Sequence, residues 1–396
     1  MFENLKQIEK DAIIGIMALF REDQSEDKVD LSVGVYQDDT GVTPIMSAIK
    51  KAESELLEQE KTKSYVGIAG LPKFNDAISE LVFGSFYHKE SNRIATIQTP
   101  GGSGGLCVAG HLINRGKQGA TVWASTPTWP NHIPLLSTSG LTIKSYDYYD
   151  RENNEINFSR MMSSLDSSAP GDVLLLHGCC HNPCGADLNM EQWQSVLELI
   201  NKKGLLPLVD LAYLGLGDGV DEDASGLRLL ANNCKEMIVV TSCSKNLGLY
   251  KERVGAVSAI SANAGESERT LSNLANIARS IYSMPPDHGA ALAAKVLTDT
   301  QLRENWLEEL AQLRNRIKQV RTELSDGLNT RQNKIDFSFI KKEKGMFSFL
   351  GISRDHVIEL RERFHIYMVE SSRINIAGIN QKNISYIIES ICHVID

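Results

Sequence analysis

Six short apolar runs, too continuous to alternate with polar residues, set the strongest limit on how this chain can fold. They are Ile94–Ile97, Ala120–Ala124, Val173–His177, Leu205–Asp210, Ile238–Thr241 and Val254–Ile260. Most of the gaps between them carry a helical pattern, such as Leu106–Asn114 or Trp193–Ile200. A strand that is apolar on both sides must be covered on both faces. Helices between successive strands supply that cover and return the chain for a parallel neighbour. The expected fold is therefore α/β, with a large domain built on a mostly parallel sheet flanked by helices. Near residue 300 the alternation stops. Trp306, Leu310, Leu313, Ile317, Val320 and Leu324 repeat at helical spacing and predict one long amphipathic helix. Beyond it, Ile335–Ile340, Met346–Leu350 and Arg373–Ala377 read as strands and Asp355–Phe364 as a helix, the parts of a smaller α+β domain. The expected division is an N-terminal arm with part of the small domain over 1–44, a large domain over 45–307, and a C-terminal small domain over 308–396.

Bulk properties exclude several classes. A length of 396 residues allows two domains. The formal net charge is −9 and no long Lys/Arg block occurs, so no nucleic-acid partner is expected. Seven cysteines are an odd number for a disulfide framework. Residues Met1-Phe2-Glu3-Asn4-Leu5-Lys6 lack the basic-then-apolar pattern of a secretory leader, and no apolar run is long enough to span a bilayer. A reduced, cytoplasmic protein without a membrane span is expected.

Open α/β sheets bind ligands beyond the carboxyl ends of their strands, so the residues after each run matter most. After Ile97 comes Gln98-Thr99-Pro100-Gly101-Gly102-Ser103-Gly104-Gly105, a glycine-rich approach to a helix that suits an anion or simply a turn. After Ala124 comes Ser125-Thr126-Pro127-Thr128-Trp129-Pro130-Asn131-His132, whose indole suits either a planar ligand or the core. His177-Gly178-Cys179-Cys180-His181-Asn182-Pro183-Cys184-Gly185 follows the third run. Adjacent cysteines are poorly spaced for one tetrahedral zinc, so the expectation there is no metal, and an Asn-Pro turn with a free amide. Asp210-Leu211-Ala212-Tyr213 ends the fourth run. A carboxylate there is either a helix cap or the partner of a buried cation. Past the fifth run, Ser242, Lys245 and Arg253 offer a hydroxyl, an amine and a guanidinium.

Taken together, these groups are an anion cradle, an aromatic plate, a carboxylate, a phenol, an amide and an amine. Pyridoxal 5'-phosphate (PLP) needs each of them. At this point the sequence resembles a known family. Asn182-Pro183-Cys184-Gly185, Asp210-Leu211-Ala212-Tyr213 and Ser242 through Gly255 resemble the aspartate and aromatic amino acid aminotransferases, class I enzymes of PLP fold type I. Further matches run from Gly34-Val35-Tyr36 and Lys63-Ser64-Tyr65-Val66-Gly67, through Arg279 and Ser283-Met284-Pro285-Pro286, to Gly345–Phe349 and Ser372-Arg373-Ile374-Asn375.

The resemblance implies a seven-stranded sheet, PLP as cofactor and a homodimer with shared active sites. It implies Lys245 as the covalent anchor and proton carrier. Asp210, supported by His132, would hold the pyridine nitrogen, and Tyr213 and Asn182 the phenolic oxygen. Trp129 would stack on the ring. Gly102, Ser103, Ser242 and Arg253 would hold the phosphate, with Tyr65 reaching the phosphate of the neighbouring subunit. Arg373 and Gly34 would meet the substrate α-carboxylate end. Arg279 would meet a side-chain carboxylate across the dimer. The implied reaction is ping-pong transamination of L-aspartate with 2-oxoglutarate, with aromatic L-amino acids as further or even main substrates. Several positions depart from the aspartate pattern: Gln37, Ser64, Ser103, Cys184, Leu214 and Met284, whereas Val35 and Thr43 keep it. Lost polar groups around the pocket would widen specificity. The rival expectations are a PLP lyase or decarboxylase, and a non-enzymatic metal-binding protein.

Overall fold

The computed structural model describes residues 1–7, 12–332 and 334–396. It divides into two compact units. One comprises Met1–Thr43 and Ile317–Asp396, the other Pro44–Arg316.

The larger unit is built on a seven-stranded sheet: β1 (Ile94–Pro100), β2 (Thr121–Thr126), β3 (Thr142–Asp147), β4 (Val173–His177), β5 (Leu206–Leu211), β6 (Met237–Ser242) and β7 (Val254–Ile260). The strand order is β1-β7-β6-β5-β4-β2-β3. Every pairing is parallel except those of β7, which runs antiparallel to both β1 and β6. All residues of β6 and β7 are buried, as their unbroken apolar sequences require. Six of the strands coincide with the six apolar runs. The seventh, β3, is Thr-Ile-Lys-Ser-Tyr-Asp at the sheet edge, where only Tyr146 is buried. An edge strand paired on one side and half solvated has no need of an apolar run, so its sequence gives little sign of a strand.

Helices Gly101–Gly116 and Ala264–Ile281 pack on the sheet and on each other around Leu106, Val108, Ala109, Leu274 and Ile277. The predicted long helix spans Thr300–Arg331, 32 residues, with Trp306, Leu310, Ile317, Val320 and Leu324 buried. In the larger unit its Trp306 indole donates to the carbonyl of Asn246 at 2.6 Å, next to Lys245.

In the smaller unit, strand Phe347–Phe349 pairs antiparallel with Arg373–Asn375, and Val29–Asp30 pairs in parallel with Ile366–Tyr367. Helix Arg354–Phe364 starts behind Ser353, whose hydroxyl accepts from the amide of His356. The strand expected at Ile335–Ile340 does not form. The segment is a turn leading into the short helix Phe339–Lys342. Its backbone groups bond to side chains rather than to a strand: Phe337 N–H donates to Asn329 Oδ1 and Phe337 C=O accepts from Ser325 Oγ. The alternation arose because Asp336 caps the turn through the Ser338 amide while Phe337 and Phe339 turn inward.

Candidate active site

Beyond the carboxyl ends of β1, β4, β5 and β6 lies a cavity of about 230 Å³. Nine of the residues singled out in the sequence line it: Gly102, Ser103, Trp129, Asn182, Asp210, Tyr213, Ser242, Lys245 and Arg253. Leu106, His177, Ala212 and Ser244 line it too. His177 and Ser244 stand inside the polar strand-end stretches but carry no distinguishing pattern there. Leu106 and Ala212 are apolar and could not be told from core.

One end of the cavity is an anion cradle. The helix Gly101–Gly116 begins directly after β1 and presents the amides of Gly102 and Ser103 at its positive end. Arg253 reaches the same place, donating to the Tyr250 carbonyl at 2.9 Å and to Ser244 Oγ at 3.4 Å. Among the described residues it has no carboxylate partner. Gly101 has φ +69, and a Cβ there would lie 2.4 Å from Arg253 Nη2. Glycine is therefore what lets the guanidinium approach the helix end.

The other end holds a buried carboxylate. Asp210 is the penultimate residue of β5, opposite His177 in register, and His132 Nε2 meets its Oδ2 at 2.9 Å. Burial pushes the Asp210 carboxyl upward, but the hydrogen bond and charge of His132, with His177 and Lys245, outweigh it and hold the group below its usual value. His132 is fully buried. Its Nδ1 meets Thr128 Oγ1 at 2.8 Å, and Thr128 in turn meets His177 Nε2 at 3.2 Å. Burial, with the neighbouring His132, lowers His177 to about 3, so that ring is neutral. Since an ionised carboxylate can only accept, His132 Nε2 donates to Asp210, and the Thr128 hydroxyl bridges the His132 and His177 rings.

Lys245 lies between the two ends. Its ammonium is 4.8 Å from the centre of the Tyr213 ring and makes no hydrogen bond or ion pair with any described residue. Burial, reinforced by Arg253 and opposed by Asp210, draws its amine down from 10.5 to about 8. Asn182 Nδ2 donates to the Tyr213 hydroxyl at 3.4 Å, while the buried Asn182 Oδ1 has no partner.

The remaining predicted residues lie elsewhere. Tyr65 is 93% exposed, and Arg279 is exposed with its guanidinium donating to Ser283 Oγ at 2.6 Å. Gly34 and Arg373 cluster in the smaller unit. The Arg373 guanidinium lies 4.5 Å from the Phe347 ring centre and donates to the Ser32 carbonyl at 2.6 Å. A Cβ on Gly34 would come within 2.9 Å of the same Phe347 ring. Asn375 pins the Gly34 segment through the carbonyls of Val33 and Val35. Cys184 and Leu214 are wholly buried and do not line the cavity. Cys184 bonds His181 Nδ1 at 3.2 Å. These two departures therefore change the core and leave the cavity's polar surface intact. The only candidate metal cluster among the described residues is Cys179, Cys180 and Asp223, also outside the cavity. The Asp223 carboxylate there already accepts from the amides of Gly215, Gly217 and Asp218.

An uncompensated guanidinium at a helix start, an unpartnered amine of lowered basicity and an ionised buried carboxylate make a site for a phosphorylated aldehyde with a basic ring nitrogen. PLP fits each of these groups. Comparison with known proteins agrees. The family model of class I and II aminotransferases matches residues 26–391, and the chain belongs to that family. It is 45% identical over its full length to the full-length aspartate aminotransferase of Haemophilus influenzae. It is 42% identical over 394 residues, with both chains fully covered, to the aromatic-amino-acid aminotransferase of Paracoccus denitrificans. The aromatic-amino-acid aminotransferase of Burkholderia pseudomallei, solved covalently bound to pyridoxal phosphate, superposes with a TM-score of 0.97 over all of both chains at 36% identity. The protein is a PLP-dependent aminotransferase.

Proposed function

We propose that this aminotransferase moves the amino group of L-aspartate to 2-oxoglutarate, giving oxaloacetate and L-glutamate in a ping-pong sequence, and that it also accepts aromatic L-amino acids. The observation that carries the reading is Lys245, an unpartnered amine of lowered basicity between an ionised Asp210 and an anion cradle. The relatives named for aspartate and for aromatic amino acids, at 45% and 42% identity, support the two halves about equally. Ser103 at the cradle favours the alternative in which aromatic amino acids are the main substrates.

When bound, PLP supplies an aldehyde that condenses with amines and a protonated ring that takes up the electron pair left at the substrate Cα. Asp210, kept ionised by His132, holds the proton on the ring nitrogen. Asn182 and Tyr213 face the phenolic oxygen, and Trp129 covers the ring. Gly102, Ser103, Ser242 and Arg253 hold the phosphate. Lys245 would anchor the cofactor and, once free, its amine would take the proton from the substrate Cα within the same cavity. Arg373, beside Gly34, binds the α-carboxylate. Tyr65 and Arg279, both exposed on the single chain, serve the neighbouring subunit of a homodimer, Tyr65 at the phosphate and Arg279 at a side-chain carboxylate. None of the seven cysteines forms a disulfide, which suits a cytoplasmic enzyme.

The test is the visible spectrum of the PLP-loaded protein before and after L-aspartate or L-phenylalanine. Loss of the visible band with each amino acid is expected. Phenylalanine turnover below about a thousandth of the aspartate rate, a gap of roughly 4 kcal/mol in barrier, removes the aromatic half. Failure of PLP to give any visible band removes Lys245 from its role.

A further inference from the structure

The sheet has a second cavity, at the edge opposite the catalytic one. β4, β5 and β6 begin there with Val173, Leu206 and Met237, and β7 ends there at Ile260. Its volume is about 520 Å³, against about 230 Å³ for the catalytic cavity. Val173, Leu206, Ile238 and Ile260 form an apolar floor, and Ile113 from helix Gly101–Gly116 forms a wall. That size and lining are those of a small-molecule site.

Five of the lining residues are charged: Arg115, Lys117, Arg269, Glu236 and Glu266. Two of the cations are engaged. Lys117 donates to the Pro170 carbonyl and lies 3.7 Å from Asp172, and Arg269 lies 3.9 Å from Glu266. Arg115 differs. Its guanidinium donates to two neutral acceptors on helix Ala264–Ile281, Asn273 Oδ1 at 3.2 Å and Asn276 Oδ1 at 2.8 Å. It has no carboxylate partner among the described residues. The amides orient the fork without neutralising it, and a guanidinium held in this way is matched to a carboxylate. The floor of β-branched and leucine side chains on a sheet suits a planar apolar body. Lys117 is matched by Asp172 and Arg269 by Glu266, so Arg115 is the cation left for a single anionic group.

We propose that this cleft is a second, non-catalytic binding site for a small aromatic monocarboxylate, with the carboxylate on Arg115 and the ring on the strand-end floor. The experiment titrates the PLP-loaded protein with 4-fluorophenylacetate. Bound ligand is counted by fluorine NMR, and the catalytic site is followed through the visible band. The expected result is an equivalent per chain that binds without perturbing the visible band. Arg115→Gln weakens that silent equivalent about tenfold or more, while the visible-band titration and aspartate turnover stay as in the parent. Replacing both Asn273 and Asn276 by alanine, which frees Arg115 to move, weakens the same equivalent by less. The proposal is overturned if all bound ligand perturbs the visible band, or if Arg115→Gln leaves the silent equivalent unchanged.

Discussion

Replacing Lys245 by methionine tests whether the anchoring amine is held at a cost to the fold. Burial, with Arg253 adding to it, lowers the amine from 10.5 to about 8. Between these values the unfolded chain carries the proton and the folded chain does not, so stability rises with pH there. The cost of the lysine is thus complete below about pH 8 and gone above about 10.5. A shift of this size amounts to about 3 kcal/mol near pH 7, falling to about 1.5 kcal/mol near pH 9.5. These are upper figures, because the lysine opens onto the cavity and water there screens it. Methionine keeps most of the volume without the charge, so the cofactor-free Lys245→Met protein should be the more stable near neutrality. Its advantage should shrink by about 1 to 2 kcal/mol on going to pH 9.5. The contrast between the two pH values isolates Lys245, because every other titrating group and the added apolar burial cancel in it. The assay is urea unfolding of both proteins without PLP, at one fixed protomer concentration, read by tryptophan fluorescence. All four tryptophans, at 123, 129, 193 and 306, lie in the unit that holds Lys245. An advantage that is constant with pH, or that grows, would refute the claim that a buried charge is being relieved.

Three further outcomes follow from the same geometry. Arg253→Ala removes the uncompensated guanidinium from the cradle and should weaken PLP about ten- to a hundredfold, the worth of charge-assisted hydrogen bonds, as measured by equilibrium dialysis. Gly101→Ala puts a Cβ at 2.4 Å from Arg253 Nη2 on a residue at φ +69; thermal melts should show a loss of about 1–2 kcal/mol, with PLP affinity falling as Arg253 is displaced. In the smaller unit, Arg321→Met strips a buried guanidinium from the carbonyls of Ile340, Lys344 and Gly345 and takes the cation away from the buried Glu343, which keeps the Ser348 hydroxyl as a donor; a loss of about 3–5 kcal/mol in urea unfolding is expected, and a change under about 1 kcal/mol would contradict the pairing.

What the sequence revealed and what it hid have a common physical origin. The cavity was legible because its residues follow strands buried on both faces, and such strands must be written as unbroken apolar runs. A polar group placed directly after one of these runs, as Asp210 follows Val209, stands out against it. The edge strand at Thr142–Asp147 lacked that signal, since half of it is solvated. The segment at Ile335–Ile340 carried a false one, because a side-chain-capped turn can bury Phe337 and Phe339 with strand-like spacing. The resemblance implied the His132–Asp210 pair, but its continuation through Thr128 to His177 was hidden for a different reason. Its members come from three strand ends, and only the order of β2, β4 and β5 in the sheet brings them together. Topology thus gathers three separate polar residues into one hydrogen-bonded line that ends on Asp210. The His132 hydrogen bond at the end of that line, with the nearby His177 and Lys245, holds the carboxyl below its usual value against the opposing effect of burial.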